Sequence, residues 1–136
     1  MKSGIISKSF ILFWLVTNSV LLFSQTAGKK IPSEYKNLVN PYATDPKAVK
    51  TGYKIYQKAC LNCHGDNGSG NGPQSKEIKT KVASFRDPVV MGRTDGELLW
   101  WIQTGGNDME SFKKSLTEED IWMVVTYIRK TQAENN

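Results

Sequence analysis

The chain has 136 residues, 39% of them hydrophobic and 23% charged, with a formal net charge of +5; this length allows one domain. Lys2 and Lys8 lie in an apolar leader, and without them the balance falls to +3. That is too mild for a nucleic-acid surface, which needs a clustered basic stripe with interleaved aromatics.

The leader, Met1 to Phe23, carries those two lysines, an apolar run from Phe10 to Val16, a polar dip at Thr17, Asn18 and Ser19, and a second run from Val20 to Phe23. A basic start, a short apolar centre and small or polar residues from Ser24 to Gly28 form the pattern of an export signal over 1–24. The apolar part is shorter than the ~20 residues that span a bilayer. Cleavage is therefore the first reading, and retention as an N-terminal anchor the second. No cysteine follows the run, so a lipid-modified N-terminus is not supported. Either way the domain is expected outside the cytoplasm, in a periplasm or at the outer face of the cytoplasmic membrane, and in contact with the membrane only if the leader is retained. Residues 25–44, with Pro32 and Pro41 and no sustained period, read as a polar linker or as an arm lying on the domain surface. The domain itself is expected over 45–136. Its core needs the aromatics, since the leader takes up part of the apolar content: the whole chain holds four Trp, five Tyr and five Phe.

Asp45-Pro46 reads as a helix start, with Asp45 as the N-cap and Pro46 at the first helical position, where its missing N–H costs nothing. The helix is expected to run to about Lys58 and to place Gly52, Tyr56 and Cys60 on one face. A glycine inside a helix costs about 1 kcal/mol against alanine, and close approach of another helix would compensate. Cys60-Leu61-Asn62-Cys63-His64 follows. This is the spacing of c-type haem attachment: two thiols on one helical turn bond along one edge of the macrocycle, and the adjacent imidazole points under the iron. Three other readings compete. Zinc needs about four ligands, and the chain offers two Cys and one His. A thioredoxin-like Cys-x-x-Cys needs a βαβ setting that the sequence lacks. A disulfide closing so short a loop stabilises little.

Gly65 to Pro73 has too many glycines for regular structure and reads as a loop wrapping one face of a flat ligand. A phosphate cradle would require a Lys-Ser or Lys-Thr step opening a helix behind it. The stretch Gln74 to Arg93 has no clear period; it contains Phe85 and Met91, with Lys76, Lys79 and Lys81 nearby. Thr94-Asp95-Gly96-Glu97 is a capping box, opening a helix with Leu98, Trp101 and Ile102 on its apolar face that ends near Gly105-Gly106. Trp100 and Trp101 read as core, or as a donor to a haem propionate. Thr117 caps the last helix, Glu118, Glu119 and Asp120 complement its positive end, and Arg129 and Lys130 its negative end. Leu116 against Ile121 makes a staple. Ile121, Val124, Val125 and Ile128 form the buried stripe, with Tyr127 beside it. His64 is the sole histidine, so a second protein ligand to the iron has to come from Met91, Met109 or Met123, and Met123 sits beside the buried stripe.

The run from Gly52 to Tyr127 resembles a class I cytochrome c. The likeness rests on Gly52-x-x-x-Tyr56-x-x-x-Cys60, the attachment motif, the loop ending Gly72-Pro73, Thr94 to Gly105, the Met109-x-Ser111-Phe112 turn and Val124-Val125-Thr126-Tyr127. It implies an all-α cytochrome c fold, a small helical bundle wrapped around one covalently bound haem c, with Gly52 and Tyr56 meeting Val124 and Tyr127. It further implies Cys60 and Cys63 as the covalent attachment, His64 and Met109 as the axial iron ligands, and the Pro73 carbonyl as acceptor for His64 Nδ1–H. Glu110 departs from the proline that the family often carries after its methionine. The function implied is one-electron transfer between redox protein partners, with no catalytic residue, and peroxidase-like reactivity only if Met109 is displaced. A haem enzyme or a gas or peroxide sensor with a labile sixth ligand, and a membrane-tethered electron-receiving subunit of a larger complex, are the alternatives.

Overall fold

The computed structural model of the protein describes residues 29–134; the expected leader over 1–24 lies outside them. The chain divides between Lys30 and Ile31 into two units. The second carries every helix among the described residues: α1 Ser33–Lys36, α2 Pro46–Ala59, α3 Leu61–His64, a turn of tighter helix at Pro73–Lys76, α4 Pro88–Met91, α5 Asp95–Thr104 and α6 Glu118–Glu134. No strand occurs among these residues, and the fold is all-α. None of these helices is long and apolar enough to cross a membrane.

Local chemistry sets the helix ends. Asp45 accepts from Lys47 N–H at 2.8 Å, with Pro46 in the first turn as its fixed φ favours. Thr94 and Glu97 exchange both bonds of a capping box, at 3.2 and 2.9 Å. At α6 the same exchange runs between Thr117 and Asp120, at 3.0 and 3.1 Å. These bonds satisfy the N–H groups that each first turn leaves without an intrahelical acceptor.

The core is the crossing of α2 and α6. Gly52 lies against the backbone of Met123, so close that a Cβ would overlap the Met123 carbonyl oxygen. That approach buries Tyr56, Val124 and Val125 completely, each at 0% exposure, and brings the Tyr56 and Tyr127 rings to 5.1 Å. Glycine, aromatics and stripe meet as the resemblance implies.

Residues 31–44 lie on the domain as a strap with buried anchors, and two features differ from the sequence reading. Ile31 and Asn40 are buried, and Asn40 Nδ2 donates to the Trp122 carbonyl at 3.3 Å and to Thr126 Oγ1 at 3.0 Å. On α5, Leu99 and Trp100 are buried while Trp101 is half-exposed. The strap is the cause: Tyr35 packs edge-on to Trp100 at 6.4 Å, covering a face that helical periodicity assigns to solvent. Finally, α6 continues to Glu134, so Arg129 and Lys130 stand short of its last turn. Arg129 turns instead to Asp95 at 2.7 Å, to the Arg93 carbonyl and to Gln132.

Candidate functional site: a haem-attachment turn

Cys60 closes α2 and opens the next turn. Its N–H donates to the Tyr56 carbonyl at 2.8 Å, and its own carbonyl accepts from Cys63 and His64 N–H at 3.2 and 2.9 Å. Cys60, Cys63 and His64 are thus on one helical turn. Both thiols are free and half-buried. Burial, with smaller contributions from Cys63 and Glu110, pushes the Cys60 thiol up to about 12, so it stays protonated at neutral pH. A redox-active or zinc-bound thiol needs the opposite shift. Among the described residues no three His, Cys, Asp or Glu side chains gather as a metal site.

Backbone bonds fold the glycine loop back onto this turn. Gly70 N–H reaches the His64 carbonyl at 2.9 Å and Gly72 N–H the Cys63 carbonyl at 3.1 Å, satisfying acceptors left at the helix end. Residues 82–86 of the chain pack against part of the loop. Phe85 N–H donates to the Gly68 carbonyl at 2.8 Å. Gly68 has φ +69°, and a Cβ there would overlap the Phe85 ring. Arg86 fastens the same contact, donating to Ser69 Oγ at 2.6 Å and to the Asn67 carbonyl at 3.1 Å.

This packing decides the partner of His64. Its Nδ1 lies 3.3 Å from the Ala83 carbonyl oxygen, and its ring is 5.0 Å from that of Phe85, tilted by 31°. The expected Pro73 carbonyl does not take this place. Pro73 opens the tight turn beside α3, where Gly72 lies against the Leu61 and Asn62 carbonyls, while residues 82–85 come to the imidazole from the loop's other side. Ala83 had no sequence signal, since it acts through a backbone atom. Desolvation lowers the His64 pKa below its ordinary value, and the Ala83 bond opposes this more weakly. The neutral ring donates from Nδ1, which leaves the Nε2 lone pair for a metal, the arrangement in which a histidine ligates.

The methionines separate by setting. Met91 is 37% exposed at the end of α4, and Met123 is half-buried in α6 with its backbone against Gly52. Met109 is half-buried in a tight turn, exchanging two backbone bonds with Gly106, both 2.9 Å. Its side chain packs against the apolar cluster that Cys60 and Leu61 also border. The chain after it is tied to α5: Ser111 Oγ donates to the Gln103 carbonyl at 2.6 Å and Phe112 N–H to the Ile102 carbonyl at 3.2 Å. Two free thiols, an imidazole with Nδ1 engaged and a thioether on the same apolar cluster are a donor set that fits haem c.

The family described as "Cytochrome C oxidase, cbb3-type, subunit III" matches residues 47–128. The chain belongs to this family of c-type cytochrome domains. The cytochrome domain is 30% identical over 84 residues to cytochrome c-553 of Desulfomicrobium norvegicum, a match covering 57% of this chain and 91% of that protein. It is 38% identical over 124 residues to the dehydrogenase subunit of an alcohol dehydrogenase (quinone) from Acetobacter aceti. That match covers 86% of this chain, which spans only 16% of the subunit. A chain of the reducing HAO-like protein complex of Kuenenia stuttgartiensis shares the fold, with a TM-score of 0.57 at 24% identity, over 77% of this chain and 52% of the other. The matched stretch is accordingly a haem electron-transfer domain of the cytochrome c type.

Proposed function

We propose that the protein carries single electrons between redox proteins outside the cytoplasm, through one haem c held covalently by Cys60 and Cys63 and ligated by His64 and Met109. The observation that carries this reading is the donor set on one turn: two free thiols followed by an imidazole whose Nδ1 is engaged by a backbone carbonyl. When bound, the haem supplies a one-electron couple at its iron. The chain's part is to fix the two ligands and exclude water. His64 is oriented by the Ala83 carbonyl and the Phe85 ring, and desolvation keeps it neutral and able to ligate. A thioether from Met109 favours the ferrous state and raises the potential relative to two nitrogen ligands. With His64 and Met109 both holding the iron, a substrate would find no open place on the metal, and the protein would act as a carrier with no catalytic residue.

A second reading takes its support from the Acetobacter aceti relative, in which the matching stretch is a small part of a dehydrogenase subunit. In that reading the domain receives electrons from a dehydrogenase, with the residues before Ile31 as the connection to a membrane or a larger assembly. Copurification of a dehydrogenase with the tagged protein from its native membranes favours this reading over a free carrier.

The ligand assignment is tested by the ferric spectrum. Met109→Ala is expected to abolish the long-wavelength methionine-to-iron band, to lower the reduction potential and to let peroxide react, whereas Met91→Ala changes none of these. The reverse pattern moves the ligand role to Met91. No change in either variant would leave the iron without methionine and favour the enzyme or sensor reading.

A further inference from the structure

The turn that carries Met109 is fastened to a distant segment by its neighbour. Asp108 Oδ2 accepts two hydrogen bonds from Thr80, from the backbone N–H at 2.9 Å and from the hydroxyl at 2.7 Å. Thr80 opens the stretch that presents the Ala83 carbonyl to His64 Nδ1 and the Phe85 ring beside the imidazole. Residues 80–85 are therefore tied at one end to the Met109 turn and at the other to His64. The turn needs such a tie. Asn107 sits in the left-handed region at φ 52°, and the chain leaves Met109 through Glu110, whose φ is free where a proline would fix it near −65°.

We propose that Asp108 and Thr80 form a clasp that positions Met109 at the iron and supplies the stiffness that a proline after the methionine would otherwise give. The inference rests on the reading of Met109 as sixth ligand. Asp108 and Thr80 are positioning residues: they act through the turn and not on the metal. With the clasp closed, the thioether stays in place and an outside ligand competes poorly. With it open, the turn swings away more often and the outside ligand gains by the fraction of time the position is vacant.

The test is imidazole binding to the ferric, haem-loaded protein, followed by loss of the methionine-to-iron band. The native protein must show that band and Met109→Ala must lack it; otherwise the ligand reading fails, independently of the clasp. With that met, Asp108→Ala and Thr80→Val are each expected to tighten imidazole binding about three- to fivefold, the modest effect of exposed bonds. The double variant should bind no tighter than Asp108→Ala, because Asp108→Ala already removes both bonds, including the hydroxyl bond that Thr80→Val removes. Thr80→Ser and Asp108→Asn keep a hydroxyl and an acceptor oxygen and should restore near-native affinity. Glu77→Ala removes a carboxylate from the same region without touching the clasp and should leave the affinity unchanged. Native-like affinity in both Asp108→Ala and Thr80→Val, while the native band is present, overturns the proposal. So does an equal rise in Glu77→Ala, which would assign the effect to charge.

Discussion

Gly52→Ala isolates the helix crossing on which the domain rests. The added Cβ would overlap the Met123 carbonyl oxygen and lie 2.6 Å from its carbon and 3.1 Å from Tyr127 Cβ. Relaxed carbon contacts are about 3.5–4.0 Å, so α2 and α6 must part by roughly 1 Å. The obstacle is helical backbone, which cannot swing aside as a side chain would. Overpacking of this kind costs ~1–3 kcal/mol. A gap of that width also forfeits about a quarter to a half of each dispersion well along the crossing, where Tyr56, Val124 and Val125 lie fully buried. Against this, alanine gains about 1 kcal/mol of helix propensity over glycine. The net expectation is a loss of about 2 kcal/mol, seen as a thermal midpoint lower by roughly 8–15 °C in circular dichroism of the haem-loaded protein. Gly92→Ala is the control: its Cβ would meet only the Pro88 carbonyl oxygen at 3.2 Å, and its midpoint should stay within a few degrees of native. A Gly52→Ala midpoint equal to or above the native one would refute the close crossing, since propensity alone would then have decided the sign.

Replacing both Cys60 and Cys63 with alanine should leave no haem-staining band in a denaturing gel, whereas either single variant should weaken retention; covalent haem in the double variant would contradict the attachment site. Asn40→Ala removes the strap's buried tie to Trp122 and Thr126 and should cost ~1–3 kcal/mol, with trypsin gaining access to Lys36; unaltered proteolysis would mean that other contacts hold the strap. Gln132→Leu deprives the Phe85 carbonyl of its donor at 2.7 Å and should lower the denaturant midpoint by the equivalent of ~1–3 kcal/mol.

What was legible in the sequence is what nearest neighbours decide. The starts of α2, α5 and α6 follow from caps within three residues, and Gly52 with Tyr56 announces a crossing because nothing else repays a glycine in mid-helix. The attachment turn is equally local. Gln74 to Arg93 stayed opaque because its path is set from far along the chain: Arg86 by Ser69, Thr80 by Asp108, and the Phe85 carbonyl by Gln132. The misassigned acceptor for His64 comes from the same place. Glycine and proline at 72 and 73 mark a turn, but which carbonyl meets the imidazole depends on how 82–85 lies over the loop. Whether residues 31–44 are a linker or a surface arm was open for a similar reason, since Asn40 shows nothing of its burial until α6 is in position.

The two sides of the proposed iron site therefore have unequal support. His64 sits on a helical turn continuous with α2, and its neighbour Phe85 is bonded to Gln132 on α6, so its orientation is coupled to the crossing itself. Met109 sits on a turn joined to the rest by backbone bonds to α5 and by the bonds between Asp108 and Thr80. Loosening the crossing and loosening the turn should then have separable effects. Gly52→Ala is expected to lower the thermal midpoint while leaving imidazole affinity of the native state near normal, and Asp108→Ala to do the reverse. A Gly52→Ala protein that bound imidazole as tightly as Asp108→Ala would show that the methionine turn is governed by the global fold. The distinction between electron carrier and reactive haem protein would then lie in overall stability instead of in one loop.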